Sequence, residues 1–272
     1  MSKTNENSGG GLRSLFAAIV IPTAFLIAVL IYMYVLGDPS HFQNGNPELN
    51  PIPGDAMGII HKGGIIVPIL IGMLLLVITF ALERFITISR AKGKGSVEAF
   101  ISKIRSLLAK GDINTAMSEC DKQRGSVANV IRSGLKKYKE MENEHGLDKE
   151  RKLLAITKDI EEATQLELPM LEKNLVVIST IASIATLMGL LGTVLGMIKS
   201  FSAMAQAGAP DAIKLSTGIS EALINTAFGI GTSALAIILY NYFTSKIDGL
   251  TYGIDEAGFS IVNTFASNYK EN

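Results

Sequence analysis

The sequence predicts an all-α integral membrane protein with four transmembrane helices and a helical aqueous domain. Leu15 to Leu36, Gly64 to Leu82, Leu175 to Ile198 and Ile219 to Phe243 are apolar and close to the about 20 residues that a hydrocarbon core requires. The chain is 48% hydrophobic and only 18% charged, against roughly 25% charged in an average soluble domain. Gly189, Gly192 and Gly196 share one face of the third apolar stretch, where missing side chains let a second backbone come close. That face is expected to pack against neighbouring copies of the chain, with Gly229 contributing from the fourth stretch.

Residues 1–36 read as a cytoplasmic N-terminus and a first membrane helix. The 22 residues from Leu15 to Leu36 exceed the roughly 7 to 15 of a signal-peptide core, and no small-x-small cleavage site follows before Asp38. Charge sets the orientation. Eighteen of the 25 Lys and Arg residues lie between Arg84 and Lys173, whereas residues 37–63 carry only Lys62 and residues 199–218 only Lys199 and Lys214. Positive charge near membrane ends stays inside. Residues 83–174 are therefore expected in the cytoplasm, residues 37–63 and 199–218 in the periplasm, and residues 64–82, 175–198 and 219–243 within the membrane.

The cytoplasmic region reads as helices throughout. Ser96 is placed to cap a helix through Val97, Phe100, Ile101, Ile104 and Leu108 that ends at Gly111. Asp112 opens a second, with Ile113, Ala116 and Cys120 on one face, and Ser126 a third through Val130, Ile131 and Leu135. A longer helix starts near Asp148 and runs almost continuously toward the third membrane segment, kinked at Pro169. Residues 244–272 close the chain as a cytoplasmic helix or tail.

Catalytic and cofactor signatures are absent. The sequence has no phosphate loop, no His-Glu-x-x-His and no Cys-x-x-Cys, so no catalytic residue, cofactor or metal site is expected and the protein does not read as an enzyme. Zero net charge gives no sign of a nucleic-acid partner. Cys120, the one cysteine, excludes an intrachain disulfide and reads as core packing. His41, His61 and His145 lie far apart and read as surface histidines.

Polar residues inside the membrane segments are the functional candidates. On a helical wheel Glu221, Asn225, Gly229, Thr232 and Ala236 fall within about 80°, and Thr226 lies about 140° from Glu221. Ser179, Thr186 and Thr193 recur every seven residues in the preceding helix. Thr186, Thr193, Glu221, Asn225, Thr226 and Thr232 are thus expected to line a proton pathway, its hydroxyls and amides binding water without titrating. The competing reading of Asn225, Thr232 and Ser233 is interhelical hydrogen bonding alone. Glu221, the only carboxylate in the four segments, lies near an outer end, so a relay across the midplane needs a further acid from a partner chain.

The stretch Leu171-Glu172-Lys173, Ile181-Ala182-Ser183 and Gly189-Leu190-Leu191-Gly192-Thr193-Val194 with Gly196-Met197-Ile198 resembles the second helix of the MotA/TolQ/ExbB proton-channel family. Ile219-Ser220-Glu221-Ala222-Leu223-Ile224-Asn225-Thr226-Ala227-Phe228-Gly229 is similar to the third, and Glu83-Arg84-Phe85 and Gly111-Asp112 add support. The likeness covers roughly residues 64–245 and is nearest to the ExbB branch. It implies a three-helix core with Leu15 to Leu36 as an addition, and a ring, generally a pentamer. It also implies an ExbD-like single-span partner supplying a titratable aspartate, a TonB-like protein to be energised, and a lipid surround in the bacterial inner membrane. TolQ-like and flagellar or gliding stator roles are alternatives within the family, and a non-conducting membrane scaffold is one outside it. Thr186 and Leu235 stand where the family usually has prolines, a departure from the family pattern in each of the last two membrane helices.

Overall fold

The computed structural model describes residues 8–206 and 212–269, which are almost wholly helical. Nine α-helices follow one another among them: α1 (Ser8–Leu30), α2 (Ala56–His61), α3 (Ile66–Lys92), α4 (Val97–Ala109), α5 (Ile113–Gln123), α6 (Gly125–Asn143), α7 (Lys149–Glu172), α8 (Leu175–Gln206) and α9 (Ala212–Asn268). Four helical stretches are long and apolar enough to cross a membrane. The chain divides into two compact units, one up to Ala81 plus Asn174–Tyr240, the other Leu82–Lys173 plus Asn241–Asn272.

In the first unit α1 continues as a wider π turn over Ile31–Leu36 and stops at Gly37. The chain then folds back through short turns. Asp38 caps the first by accepting from the Ser40 amide at 2.9 Å, Phe42 bridges to Pro51, and Asp55 starts α2 by accepting from the Gly58 amide at 2.9 Å. Half of the apolar window of α3 is buried by the chain, against 17% for Phe16–Leu36. The α3 helix is therefore an inner element and α1 an outer one. Ala28 and Leu36 meet Val67 and Ile71 along their seam, with Phe228 packed against the cluster.

Contact between α8 and α9 is made backbone to backbone. A Cβ on Gly189 would lie 2.9 Å from the Asn225 carbonyl oxygen and 3.1 Å from the Gly229 Cα. One on Gly192 would lie 2.5 Å from the Asn225 Cβ, and one on Gly196 2.8 Å from the Gly218 carbonyl oxygen. This corrects the expectation that the glycine face joins neighbouring copies, because the chain's own α9 fills it. Any ring must use other surfaces, such as the exposed Leu187, Leu190, Val194 and Ile198 of α8.

The second unit is a helical bundle. Ser96, Asp112 and Asp148 cap α4, α5 and α7, accepting from the amides of Ala99, Thr115 and Arg151. Each side chain satisfies a donor that a first helical turn leaves free. Ser126 does not open α6 as expected: Gly125, with φ of 85°, turns the chain directly out of α5, and Ser126 is buried one residue inside. The α7 helix ends rather than kinks. Pro169 lies within it, the break comes at Lys173 and Asn174, and Asn174 takes a left-handed φ of 69°. Arg84, only 2% exposed, donates to the carbonyls of Met170 at 3.1 Å and Leu171 at 2.9 Å, so a cation closes the negative end of α7.

The C-terminal residues are one with the fourth apolar stretch, since α9 runs unbroken for 57 residues. Phe243, Ile247, Leu250, Ile254, Ala257, Ile261 and Phe265 form a buried stripe on its second half. Spacings of three and four keep such a stripe on one face. Phe265 meets Tyr138 of α6 edge to face at 4.9 Å, and Arg105 of α4 pairs with Glu256 at 2.6 Å.

The Gly189–Gly229 crossing sets a stability test. A Cβ on Gly229 would sit 2.6 Å from the Ala185 carbonyl oxygen and 2.8 Å from the Gly189 Cα, atoms that no rotamer change can move, whereas one on Gly231 meets nothing within 4 Å. Gly229→Ala is expected to destabilise the first unit by about 1–3 kcal/mol. Gly231→Ala should be neutral or stabilising by about 0.5–1 kcal/mol. Thermal unfolding of both variants in detergent checks the pair, and equal midpoints would contradict the close crossing.

Candidate functional site

The crossing of α8 and α9 orders a ladder of polar groups along their seam. Ser233 donates to the Ala182 carbonyl at 2.5 Å on one side of the glycine contact. On the other side Thr193 and Thr226 hydrogen-bond to each other through their hydroxyls, and each hydroxyl also lies within reach of a carbonyl, Gly189 at 3.3 Å and Ala222 at 3.2 Å respectively. Further along, the Lys199 ammonium meets the Glu221 carboxylate at 2.7 Å, and Ser200 donates to Gly196 at 3.1 Å. The small residues that allow the helices to touch are what bring these short side chains into range.

The segment before α3 closes the buried side of this ladder. Asn225 is fully buried and donates to the Gly63 carbonyl at 2.8 Å, while its own amide oxygen has no hydrogen-bond partner. Gly64 has φ of 73° and lies against the Glu221 carboxylate, where any Cβ would collide. A side chain at position 64 would therefore both strain the backbone and push the acid away. Next to it, His61 stacks on Tyr32 at 4.5 Å and meets Phe42 edge to face at 5.3 Å, and the Tyr32 hydroxyl donates to the His61 carbonyl at 3.1 Å. Lys62 donates to the carbonyls of Pro47 and Glu48, both at 3.0 Å. Burial holds the Lys62 ammonium below its usual range, against the opposing pull of Glu48 and Glu221.

The polar positions expected to share one lumen separate into two sets. Glu221, Asn225, Gly229, Thr232 and Ala236 are all buried within the chain, so this narrow face is the one with which α9 packs on its own bundle and is not an open wall. Asn225 and Thr232, at 0% and 2% exposure, are thereby corrected from lumen-lining to enclosed positions. Thr193 and Thr226 are half-buried and brought together, whereas Thr186 is exposed on α8 and joins neither set. Lys199, Gly63, Gly64 and His61 were not among the expected site residues. The signal for Lys199 was its place at the end of one apolar stretch opposite Glu221 at the start of the next, which a hairpin brings level.

Among the described residues no group of three His, Cys, Asp or Glu side chains is arranged to hold a metal ion. The site can bind water, pass hydrogen bonds between hydroxyls, and present a salt-bridged acid at one end.

Residues 122–256, about half of the chain, match the MotA/TolQ/ExbB proton channel family. The chain belongs to that family. A putative biopolymer transport protein ExbB-like 3 from Synechocystis sp. is 40% identical over 88 residues, 32% of this chain and 42% of that protein. The Tol-Pal system protein TolQ of Pseudomonas aeruginosa is 30% identical over 124 residues, 46% of this chain and 54% of its own length. The biopolymer transport protein ExbB of Pseudomonas putida is 34% identical over 86 residues, 32% of this chain and 26% of its own length. The matched stretches thus span about half or less of these relatives. For this MotA/TolQ/ExbB chain the matched residues run from α5 through most of α9, taking in the threonine pair, Lys199 and Glu221 but not Gly63, Gly64 or the turns around His61.

His61 makes those turns sensitive to pH. Burial, with Lys62 beside it, holds its imidazole below the ordinary value, and Tyr32, Phe42 and Lys62 are the groups around it. Asp55 is held below the usual carboxylate range by the Gly58 amide and His41, so it keeps its charge through mild acid. With the folded value lowered, the open state takes up a proton first. The stabilisation is present above about pH 6.5, the ordinary histidine value, and is lost as pH falls through it. The protection of amides over residues 31–63, taken relative to the intrinsic exchange rate at each pH, should therefore fall between pH 7.5 and 5.5 in the parent and change little in His61→Phe. Equal protection at both pH values in the parent would contradict the buried, neutral imidazole.

Proposed function

We propose that this chain is the ExbB-like subunit of a proton-driven motor in the bacterial inner membrane. In this reading it forms a ring, a pentamer by family resemblance, around an ExbD-like single-span partner whose membrane aspartate carries the proton. Proton flow then energises a TonB-like protein for outer-membrane transport. The observation that carries this is the threonine pair: Thr193 and Thr226 meet on a half-exposed edge, while Glu221, the one acid of the four apolar segments, is committed to Lys199. A hydroxyl pair can hold water or receive a partner's carboxyl, yet it cannot itself release a proton at working pH. The titrating group must then come from a second chain. One charge crossing 100 mV releases about 2.3 kcal/mol, enough to drive a mechanical step.

The TolQ relative supports a second reading, because it is 30% identical over 124 residues, 46% of this chain. In that case the same ring and the same single-span type of partner serve a Tol-Pal system. Identifying the single-span protein that copurifies with the chain distinguishes the two.

Thr→Val keeps the outline of the side chain and removes the hydroxyl. Each of Thr193→Val and Thr226→Val is expected to lower gradient-dependent uptake about tenfold, the equivalent of one hydrogen bond of about 1.4 kcal/mol, with native mass of the complex unchanged. Glu221→Gln keeps the contact with Lys199 but removes the charge at the mouth, and should also lower uptake. Normal uptake in both valine variants would refute the pathway, and normal uptake in the glutamine variant would leave Glu221 a packing group.

The same reading places residues 83–174 in the cytoplasm, from the Lys and Arg distribution. Cys120 is 2% exposed and burial pushes its thiol up to about 12, so it should stay silent to maleimides. A cysteine replacing the exposed His145 in a Cys120→Ser background should react with an impermeant maleimide only after the cells are opened. Reaction in intact cells would reverse the orientation.

A further inference from the structure

The second unit carries an apolar pocket rimmed by two lysines, formed by α3 and the second half of α9. It encloses about 210 Å³ between Phe85, Ile88, Phe243 and Leu250, with Lys92 and Lys246 at its edge. Ile88, Phe243 and Leu250 form a buried floor, while Phe85 is 56% exposed and gives the pocket an open apolar side. Lys246 lies over the Tyr242 ring at 5.6 Å, and among the described residues neither Lys92 nor Lys246 has a carboxylate within salt-bridge distance. Glu98, the acid that feels both ammonium groups, is bound to the Ser96 hydroxyl at 2.5 Å. Glu98 is thus a nearby charge and not a contact partner, and among the described residues no carboxylate touches the cationic rim over the apolar floor.

The pocket's place in the chain identifies what supplies an anion. The apolar stretch of α3 ends at Leu82 and that of α9 at Phe243, so Phe85 and Lys246 lie three residues beyond those ends, Ile88 six, Leu250 seven and Lys92 ten. Interfacial headgroups occupy roughly the first 5–8 Å beyond the hydrocarbon, three to five residues of helix, which takes in Phe85 and Lys246, while Lys92, about 15 Å along α3, carries a long side chain tilted back toward the helix N-terminus and so toward that layer. A soluble anion would satisfy the lysines and leave Phe85 and the floor unused. A peptide acid would have no reason to sit at the ends of two membrane helices.

We propose that this pocket binds an anionic glycerophospholipid, its phosphodiester between Lys92 and Lys246 and an acyl chain along Phe85, Ile88 and Phe243. Lysines near an anionic membrane surface each contribute a factor of about five in affinity, so the pair favours an anionic over a zwitterionic headgroup about twenty-five-fold. The site is separate from the threonine pair, and binding there does not depend on the proton-motor reading.

The test is lipid binding by the delipidated full-length protein, followed by native mass spectrometry with dioleoyl phosphatidylglycerol and dioleoyl phosphatidylcholine. Phosphatidylglycerol is expected to bind about twenty-five-fold more tightly. Lys92→Gln with Lys246→Gln, both exposed positions, should remove that preference, while Lys92→Arg with Lys246→Arg should keep it. Lys149→Gln with Lys158→Gln removes the same net charge elsewhere in the unit and should leave binding unchanged. Equal affinity for the two lipids, or equal loss in the control pair, would overturn the proposal. Displacement of the lipid by inorganic phosphate at comparable concentration would assign the rim to a free anion and likewise overturn the acyl-chain contact. Phe85→Ser should weaken both lipids alike, and an unchanged affinity would count against the apolar half of the site.

Discussion

The backbone contact between Gly189 and Gly229 is the constraint on which the first unit depends. Within a bilayer the hydrophobic effect does not press helices together, so close packing and short hydrogen bonds must hold them. Both need small residues at the crossing. With Gly189, Gly192, Gly196 and Gly229 in place, α8 and α9 approach until Ser233 reaches the Ala182 carbonyl and Thr193 reaches Thr226. Longer side chains at the crossing would hold the helices too far apart for these short groups to meet.

That crossing also divides the polar residues by accessibility. One face of α9 turns inward and buries Glu221, Asn225 and Thr232, where Gly63 and Gly64 give the acid and the amide room. The adjacent edge leaves the threonine hydroxyls half-exposed. The enclosed groups find their contacts within the chain, and the open edge is what a second chain can reach. The buried Asn225 amide oxygen, without a hydrogen-bond partner, costs free energy that the surrounding contacts must offset. Lys199 performs a related task for Glu221, since a charge so enclosed is tolerated when an opposite charge lies within hydrogen-bond distance.

The second unit follows soluble-protein rules. Its helices α4, α5 and α7 start at side-chain caps, its apolar core runs from Val97 to Phe265, and its buried Arg84 donates to the free carbonyls at the end of α7. The α9 helix belongs to both units because its apolar pattern changes character without a break. Up to Tyr240 it presents glycine, alanine and threonine to its neighbours, and beyond that it carries a stripe of Ile, Leu and Phe.

The sequence by itself determined the helical class, the four apolar stretches and the caps at Ser96, Asp112 and Asp148, because periodicity, length and capping are local properties. The family resemblance was legible for the same reason: it resides in contiguous runs around Gly192 and Glu221. Only the tertiary structure decided what each face touches. A glycine stripe reads identically whether its partner is another copy or the next helix, and the hairpin connecting α8 to α9 brings the chain's own backbone there first. The wheel placed Glu221, Asn225 and Thr232 together correctly but could not say whether they looked outward or inward. Lys199, Gly64 and His61 lay outside the expectation because their roles come from contacts across 22, 157 and 29 residues, to Glu221, Glu221 and Tyr32. No local pattern encodes such distances; they exist once the segment before α3 is seated against α9.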